Sequence, residues 1–121
     1  MNAKRKVLLV DDEKAILKVL SIKLRISGYD VVTAPGGQEA LDLVKSECPD
    51  VMLLDIIMPG LDGFGVLEKL RTFSELPVIV FSARPENAQK ALSLGANDFM
   101  AKPLDVDEMV RRIETLLDHK A

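Results

Sequence analysis

"VMLLDIIMPG", Val51–Gly60, decides how the chain is read. Four apolar residues, Val51 to Leu54, run without alternation into Asp55; two isoleucines and a methionine follow, and Pro59 and Gly60 break the chain. A short, unbroken apolar run marks a strand covered on both faces, as in a parallel sheet. A carboxylate set among so much hydrocarbon is costly unless something pairs with it. Asp55 therefore needs a partner from elsewhere in the chain.

Working outward, "KVLLV" is a second short continuous apolar run. "KVLLV" (Lys6–Val10), "VVTA" (Val31–Ala34), "PVIVF" (Pro77–Phe81) and "DFMA" (Asp98–Ala101) read as four further strands, the proline of "PVIVF" being tolerable at the first position. Between and after them the period turns helical over Glu13–Ser27, Gly37–Glu47, Gly65–Phe73, Glu86–Leu94 and Asp105–Leu117. Asp105 reads as the N-cap of the last helix, with Glu108 completing a capping-box pair. Strands alternating with helices imply an α/β, doubly wound parallel sheet with right-handed crossovers. No linker, repeat or charge run divides the chain, so residues 1–121 read as one domain.

The 121 residues suffice for a single core. A net charge of -3 and a pI near 5.2 argue against direct nucleic-acid binding. Cys48 is the only cysteine and His119 the only histidine, so no disulfide forms within the chain and no Cys/His zinc site can be assembled. Cys48, before a strand, reads as a small apolar filler. The basic start "MNAKRKVLLV" has too short an apolar run for a signal peptide or a membrane span. A cytoplasmic location is the resulting expectation.

Ligands of open α/β sheets bind at the carboxyl ends of the strands. There the sequence places Asp11, Asp12 and Glu13 after the first strand, Asp55 after the third, Ser82 after the fourth and Lys102-Pro103 after the fifth. Gathered carboxylates raise one another's pKa, and a hard cation such as Mg2+ (or Mn2+) relieves them, being held by one or two carboxylates plus phosphate oxygens and water. Lys102 suits a phosphoryl oxygen as a point charge, Ser82 offers a hydrogen bond, and a carboxylate can act as the nucleophile that forms an aspartyl-phosphate. Asp55 is the acceptor on this reading.

Taken singly, each residue has a plainer explanation. An Asp after a strand is commonly a cap or turn residue, and Asp50 and Asp62 are read that way. Lys102 could be a solvated loop lysine, and Ser82 could cap the helix near Glu86. The convergence of the set is what argues for chemistry. No G-x-x-x-x-G-K-[ST] loop is present, and Gly60, Gly63 and Gly65 have the wrong spacing for a dinucleotide fingerprint. The second aspartate that haloacid dehalogenase phosphatases place two residues after the nucleophile is here Ile57.

"LLVDDE", "LLDIIMPGLDG", "VIVFSA" and "GANDFMAKP" resemble, in order and spacing, the receiver domain of bacterial two-component response regulators. The likeness spans essentially the whole chain. It implies a flavodoxin-like (βα)5 fold with strand order 2-1-3-4-5, and a switch phosphorylated by a sensor histidine kinase or histidine phosphotransfer protein. Carried over by position, Asp55 resembles the phosphoacceptor, Asp12 the direct Mg2+ ligand and Asp11 the ligand acting mostly through water. Ile57 would offer its backbone carbonyl to the metal, Lys102 would contact the phosphoryl group next to a cis Pro103, and Ser82 and Phe99 occupy the switch positions. On phosphorylation Ser82 moves toward the new oxygens and Phe99 turns inward, altering the face of the fourth helix, fifth strand and fifth helix that meets a downstream protein. The resemblance implies a signalling domain that assists its own phosphorylation, not an enzyme.

Two further expectations concern partners and lifetime. The first helix carries two apolar stripes, Ile16/Leu17/Leu20/Leu24 and Val19/Ile22/Ile26, together wider than the roughly 100° that one buried face requires. Ala15, Ile16 and Val19, with Pro103, read as the kinase-docking surface; packing of the second stripe against the last helix is the plainer alternative. Ile57 and Arg84, two residues after Asp55 and Ser82, should flank the path of the hydrolytic water and give a long-lived phosphoryl group. Of the charge pattern with which winged-helix regulators dimerise, Asp98, Glu108 and Arg112 match, but Ala88, Asn97 and His119 do not, so a monomer or weak dimer is expected. No effector domain is evident in these 121 residues. Two other classes compete: a flavodoxin-like nucleotide or flavin binder, which would not need Asp55, and a receiver-like interaction domain, which would normally lack part of the acidic pair, Asp55 or Lys102.

Overall fold

The computed structural model describes residues 4–118. Its elements run β1 (Lys6–Val10), α1 (Lys14–Ile26), β2 (Asp30–Ala34), α2 (Gly37–Glu47), β3 (Val51–Asp55), α3 (Gly63–Leu70), β4 (Val78–Ser82), α4 (Asn87–Ser93), β5 (Asp98–Ala101) and α5 (Val106–Asp118). The strands form one parallel sheet in the order β2-β1-β3-β4-β5, the flavodoxin-like topology. Successive strand side chains face opposite ways, and the central strands use both directions for hydrocarbon. Leu8, Val10, Met52, Leu54, Val78 and Val80 pack beneath α2, α3 and α4. Val7, Leu9, Val51, Leu53, Ile79 and Phe81 pack beneath α1 and α5. That two-sided burial is why "VMLL" shows no alternation.

The element ends differ from the sequence reading where polar groups intervene. Helix α3 starts at Gly63 instead of Gly65 because Asp62 is its N-cap, its carboxylate accepting from the Gly65 amide at 2.9 Å. It ends at Leu70, whose carbonyl accepts from the amides of Phe73 and Ser74 at 3.0 and 2.9 Å in a tight turn. Asp105 caps α5 as expected, accepting from the amides of Asp107 and Glu108 at 3.0 and 3.3 Å. Glu108 does not complete a capping box: its carboxylate is drawn to Arg111 and Arg112 at 2.9 and 3.2 Å. Asp50 accepts from the Lys6 amide at 2.7 Å and fixes the start of β1. Cys48 is not a buried filler. It is exposed and ends α2 in a left-handed conformation with φ 48°.

Gly63 is required by close approach. Its amide donates to the Ile56 carbonyl at 2.9 Å, and a Cβ there would lie 2.6 Å from the Asp55 carbonyl oxygen and 2.7 Å from the Ile56 Cα. At Gly65 a Cβ would meet chiefly the mobile end of the Leu61 side chain, at 2.5 Å. Among the described residues no helix is long and apolar enough to cross a membrane. Urea denaturation should show Gly63→Ala destabilised by about 1–3 kcal/mol, the range for overpacking against a fixed backbone. Gly65→Ala should be near neutral, since better helix propensity offsets a side-chain adjustment. Equal losses in the two variants would contradict this account of α3.

Candidate functional site

The carboxyl end of the sheet gathers the polar residues that the sequence singled out. Asp55 is the last residue of β3 and only 3 % exposed; Asp11, just past β1, is fully buried, while Asp12 is exposed. One oxygen from each of these three carboxylates lies within 4.8 Å of the others. Lys102 follows β5, and its ammonium stands 3.6 Å from Asp55 Oδ1 and 3.7 Å from Asp11 Oδ2. Its amide donates to the Ser82 carbonyl at 2.9 Å, and the Lys102-Pro103 bond is cis. The Lys102 ammonium also lies 5.4 Å from the centre of the Phe81 ring, within cation–π range. In the sequence Phe81 reads only as the last residue of the strand "PVIVF".

The electrostatics are unbalanced. Burial, and then repulsion from Asp11, push the Asp55 carboxyl up to about 6, against the opposing pull of Lys102 and the Ile57 backbone. Burial also raises Asp11, although the Glu13 amide donates to its Oδ1 at 2.9 Å and lowers it. Asp11 Oδ2 is buried with no hydrogen-bond partner. One lysine at long range faces two buried carboxylates. An orphaned buried oxygen beside two further carboxylates is a donor set that fits a hard divalent cation, with Asp11, Asp12 and Asp55 as the side chains able to hold it.

The remaining candidates fall into three groups. Ile57 and Arg84 line one small pocket of about 220 Å3, together with Met58, Phe64 and Asn87. Ala15, Ile16, Val19 and Pro103 line a groove of about 630 Å3 with Ala83 and Lys102. The second stripe of α1 is not covered by α5: Val19, Ile22 and Ile26 are 50, 48 and 80 % exposed. Phe99 is half-buried against the cluster beneath α3 and α4. Asp98 and Glu108 both pair with Arg112, at 3.0 and 3.2 Å, and the same guanidinium donates to the Phe99 carbonyl at 2.8 Å. Asn97 accepts from the Val78 amide at 2.9 Å and from Arg71 at 3.2 Å; His119 lies outside the described residues.

Ser82 is buried and does not act as a simple helix cap. Its hydroxyl accepts from the Arg84 amide at 3.1 Å and from the Asn87 side-chain amide at 3.0 Å. Asn87 was missed in the sequence, where an asparagine at the start of a helix reads as ordinary end chemistry.

Comparison with known proteins gives one answer. The family model of the response regulator receiver domain matches residues 7–114. A probable transcriptional regulator ycf27 of Guillardia theta is 45 % identical over 119 residues, covering 97 % of this chain and 47 % of that protein. The chain thus spans about half the length of the curated relatives it matches. The receiver domain of the Francisella response regulator 1452 is 36 % identical with a TM-score of 0.91, covering 98 % of this chain and 100 % of that one. The Vibrio cholerae chemotaxis protein CheY4 is 30 % identical with a TM-score of 0.86, covering 95 % of this chain and 100 % of that one.

The charge imbalance sets a pH dependence. The folded chain holds the Asp55 proton up to about pH 6, whereas an unfolded aspartate releases it near 3.8. Stability must therefore fall as pH rises through that window, by on the order of 3 kcal/mol once Asp55 is ionised. In EDTA, Asp55→Asn should be more stable than the wild type by a comparable margin at pH 7.5, and the gap should close as pH falls toward 4. A gap independent of pH would mean that Asp55 is not held against its charge.

Proposed function

Because the chain belongs to the response regulator receiver domains, we propose that it is a phosphorylation switch whose acceptor is Asp55. The observation that carries the reading is the placement of Asp55, almost fully buried, beside the carboxylates of Asp11 and Asp12 and 3.6 Å from the Lys102 ammonium. An Asp55 carboxylate oxygen attacks the phosphorus of a phosphohistidine on a sensor kinase or phosphotransfer protein. The phosphorus–nitrogen bond breaks, and the imidazole leaves with the bonding pair and takes up a proton. A divalent cation, Mg2+ or Mn2+, held by Asp11, Asp12, Asp55 and the Ile57 carbonyl, would neutralise the phosphoryl oxygens. Lys102 turns from the two carboxylates to a phosphoryl oxygen, and positioning with charge stabilisation supplies most of what phosphoryl transfer needs.

In this reading the chain is a signalling domain that assists its own phosphorylation, located in the cytoplasm with its kinase, and not an enzyme with a turnover substrate. The groove of Ala15, Ile16, Val19 and Pro103 receives the histidine-bearing partner, and the α4-β5-α5 face carries the output to a downstream protein. The full set Asp11, Asp12, Asp55 and Lys102 supports phosphotransfer over a receiver-like domain that serves for interaction alone.

Intact-mass measurement after incubation with acetyl phosphate and Mg2+ tests the reading. One phosphoryl group should add to the wild type and none to Asp55→Ala. Lys102→Ala should keep most of its Mg2+ affinity while losing the conformational response. Stoichiometric acid-stable phosphate, or unchanged labelling of Asp55→Ala, would overturn the assignment.

The lifetime of the phosphoryl group is also set locally. Ile57, 53 % exposed at the pocket it shares with Arg84, offers the hydrolytic water no hydrogen bond, and Arg84 offers no acceptor for its proton. A lost positioning contact costs about a hundredfold in rate. The phosphorylated wild type should therefore decay slowly once donor is removed, and the Ile57→Asn/Arg84→Glu double variant several-fold faster. Equal decay would show that these side chains do not govern the water.

A further inference from the structure

The hydroxyl of Ser82 is committed to α4. Ser82 ends β4 and is fully buried. Alternation along the strand puts it on the side of Val78 and Val80, beneath α2 to α4, whereas Asp55 follows Val51 and Leu53 toward α1 and α5. A hydroxyl has two acceptor positions and one proton. Both acceptor positions are filled from the α4 side, by the Arg84 amide at 3.1 Å and the Asn87 Nδ2 at 3.0 Å.

Helix α4 depends on such ties. It has 7 residues, buries only Ala91, and its N-cap residue Glu86 makes no side-chain cap hydrogen bond. So short a helix has little stability of its own. At its far end Arg71 donates twice to the Gly95 carbonyl, at 3.1 and 2.8 Å. At its near end the first residue of the helix is joined to the sheet by the Asn87–Ser82 hydrogen bond.

We propose that Asn87 is a positioning residue that holds the Ser82 hydroxyl on the α4 side, so that drawing the hydroxyl toward a phosphoryl group on Asp55 frees the start of α4. The switch hydroxyl and the first turn of α4 then share one hydrogen bond. Its loss on phosphorylation is what reaches the α4 face, while Arg71 keeps the other end of the helix in place. This rests on the phosphoacceptor reading and adds Asn87 as the partner from which the Ser82 hydroxyl must be released.

Beryllium fluoride with Mg2+, a non-covalent stand-in for the phosphoryl group, is the probe, with affinity read by calorimetry and amide exchange by mass spectrometry. One neutral hydrogen bond shifts such an equilibrium about fivefold. Asn87→Ala should therefore bind the probe about fivefold more tightly than the wild type. Its amides in the first turn of α4 should exchange, without probe, as fast as those of the probe-bound wild type. In a Ser82→Ala background, Asn87→Ala should have no further effect on affinity. Asn87→Gln, which misplaces the amide, should shift affinity in the same direction as Asn87→Ala. Equal affinity of Asn87→Ala and wild type, or the same shift with and without the Ser82 hydroxyl, overturns the role of Asn87 and leaves the phosphoacceptor reading standing. Failure of the wild type to bind the probe at all overturns that reading, and this inference with it.

Discussion

A carboxylate that ends the central strand with almost no water around it is the constraint on which the rest of the structure turns. Asp55 is placed there by a sheet whose inner strands are covered by hydrocarbon on both faces. Each fully buried leucine or valine contributes about 1.5–3 kcal/mol, so a pair of them offsets a penalty on the order of 3 kcal/mol. The fold can therefore hold Asp55 and Asp11 in a state that neither would choose. Their shared need for positive charge gives the site its chemistry: a lysine at 3.6–3.7 Å and a set of oxygens fit for a divalent cation.

The same economy of contacts governs how a change at Asp55 would spread. The central strands are locked on both faces, whereas α4 buries only Ala91 and is tied down by polar bonds at its two ends. Phosphorylation adds charge and acceptor oxygens, and the least anchored element beside it is the one free to respond. Arg112, gripping Asp98, Glu108 and the Phe99 carbonyl together, fixes the neighbouring strand to α5. The movement proposed for α4 is thereby separated from the body of the sheet.

The architecture was legible because burial writes itself into sequence. The unbroken apolar runs of β1, β3 and β4 imply a sheet covered on both faces, and the residues after the strands then fall at one rim; Asp11, Asp12, Asp55 and Lys102 do meet there. The sequence is ambiguous where a local polar choice decides between neighbours a few residues apart. Asp62 reads as an end residue, but its bond to the Gly65 amide starts α3 two residues earlier, at Gly63. Glu108 had two arginines within one turn and preferred them to the Asp105 backbone. Cys48 looked apolar by type, yet its position one residue past α2 requires a left-handed backbone and exposure. Asn87 carries no periodic signal, since its bond to Ser82 depends on how a loop of four residues folds back.

The central claim is that Asp55 alone among the clustered carboxylates is the nucleophile, with Asp11 and Asp12 serving charge. The direct measurement is borohydride reduction of protein treated with acetyl phosphate and Mg2+, which converts an aspartyl-phosphate to homoserine, followed by peptide mass mapping. The account predicts one conversion, in the peptide that carries Asp55. Conversion at Asp11 or Asp12, or a labelled protein with no reducible aspartate, would contradict it.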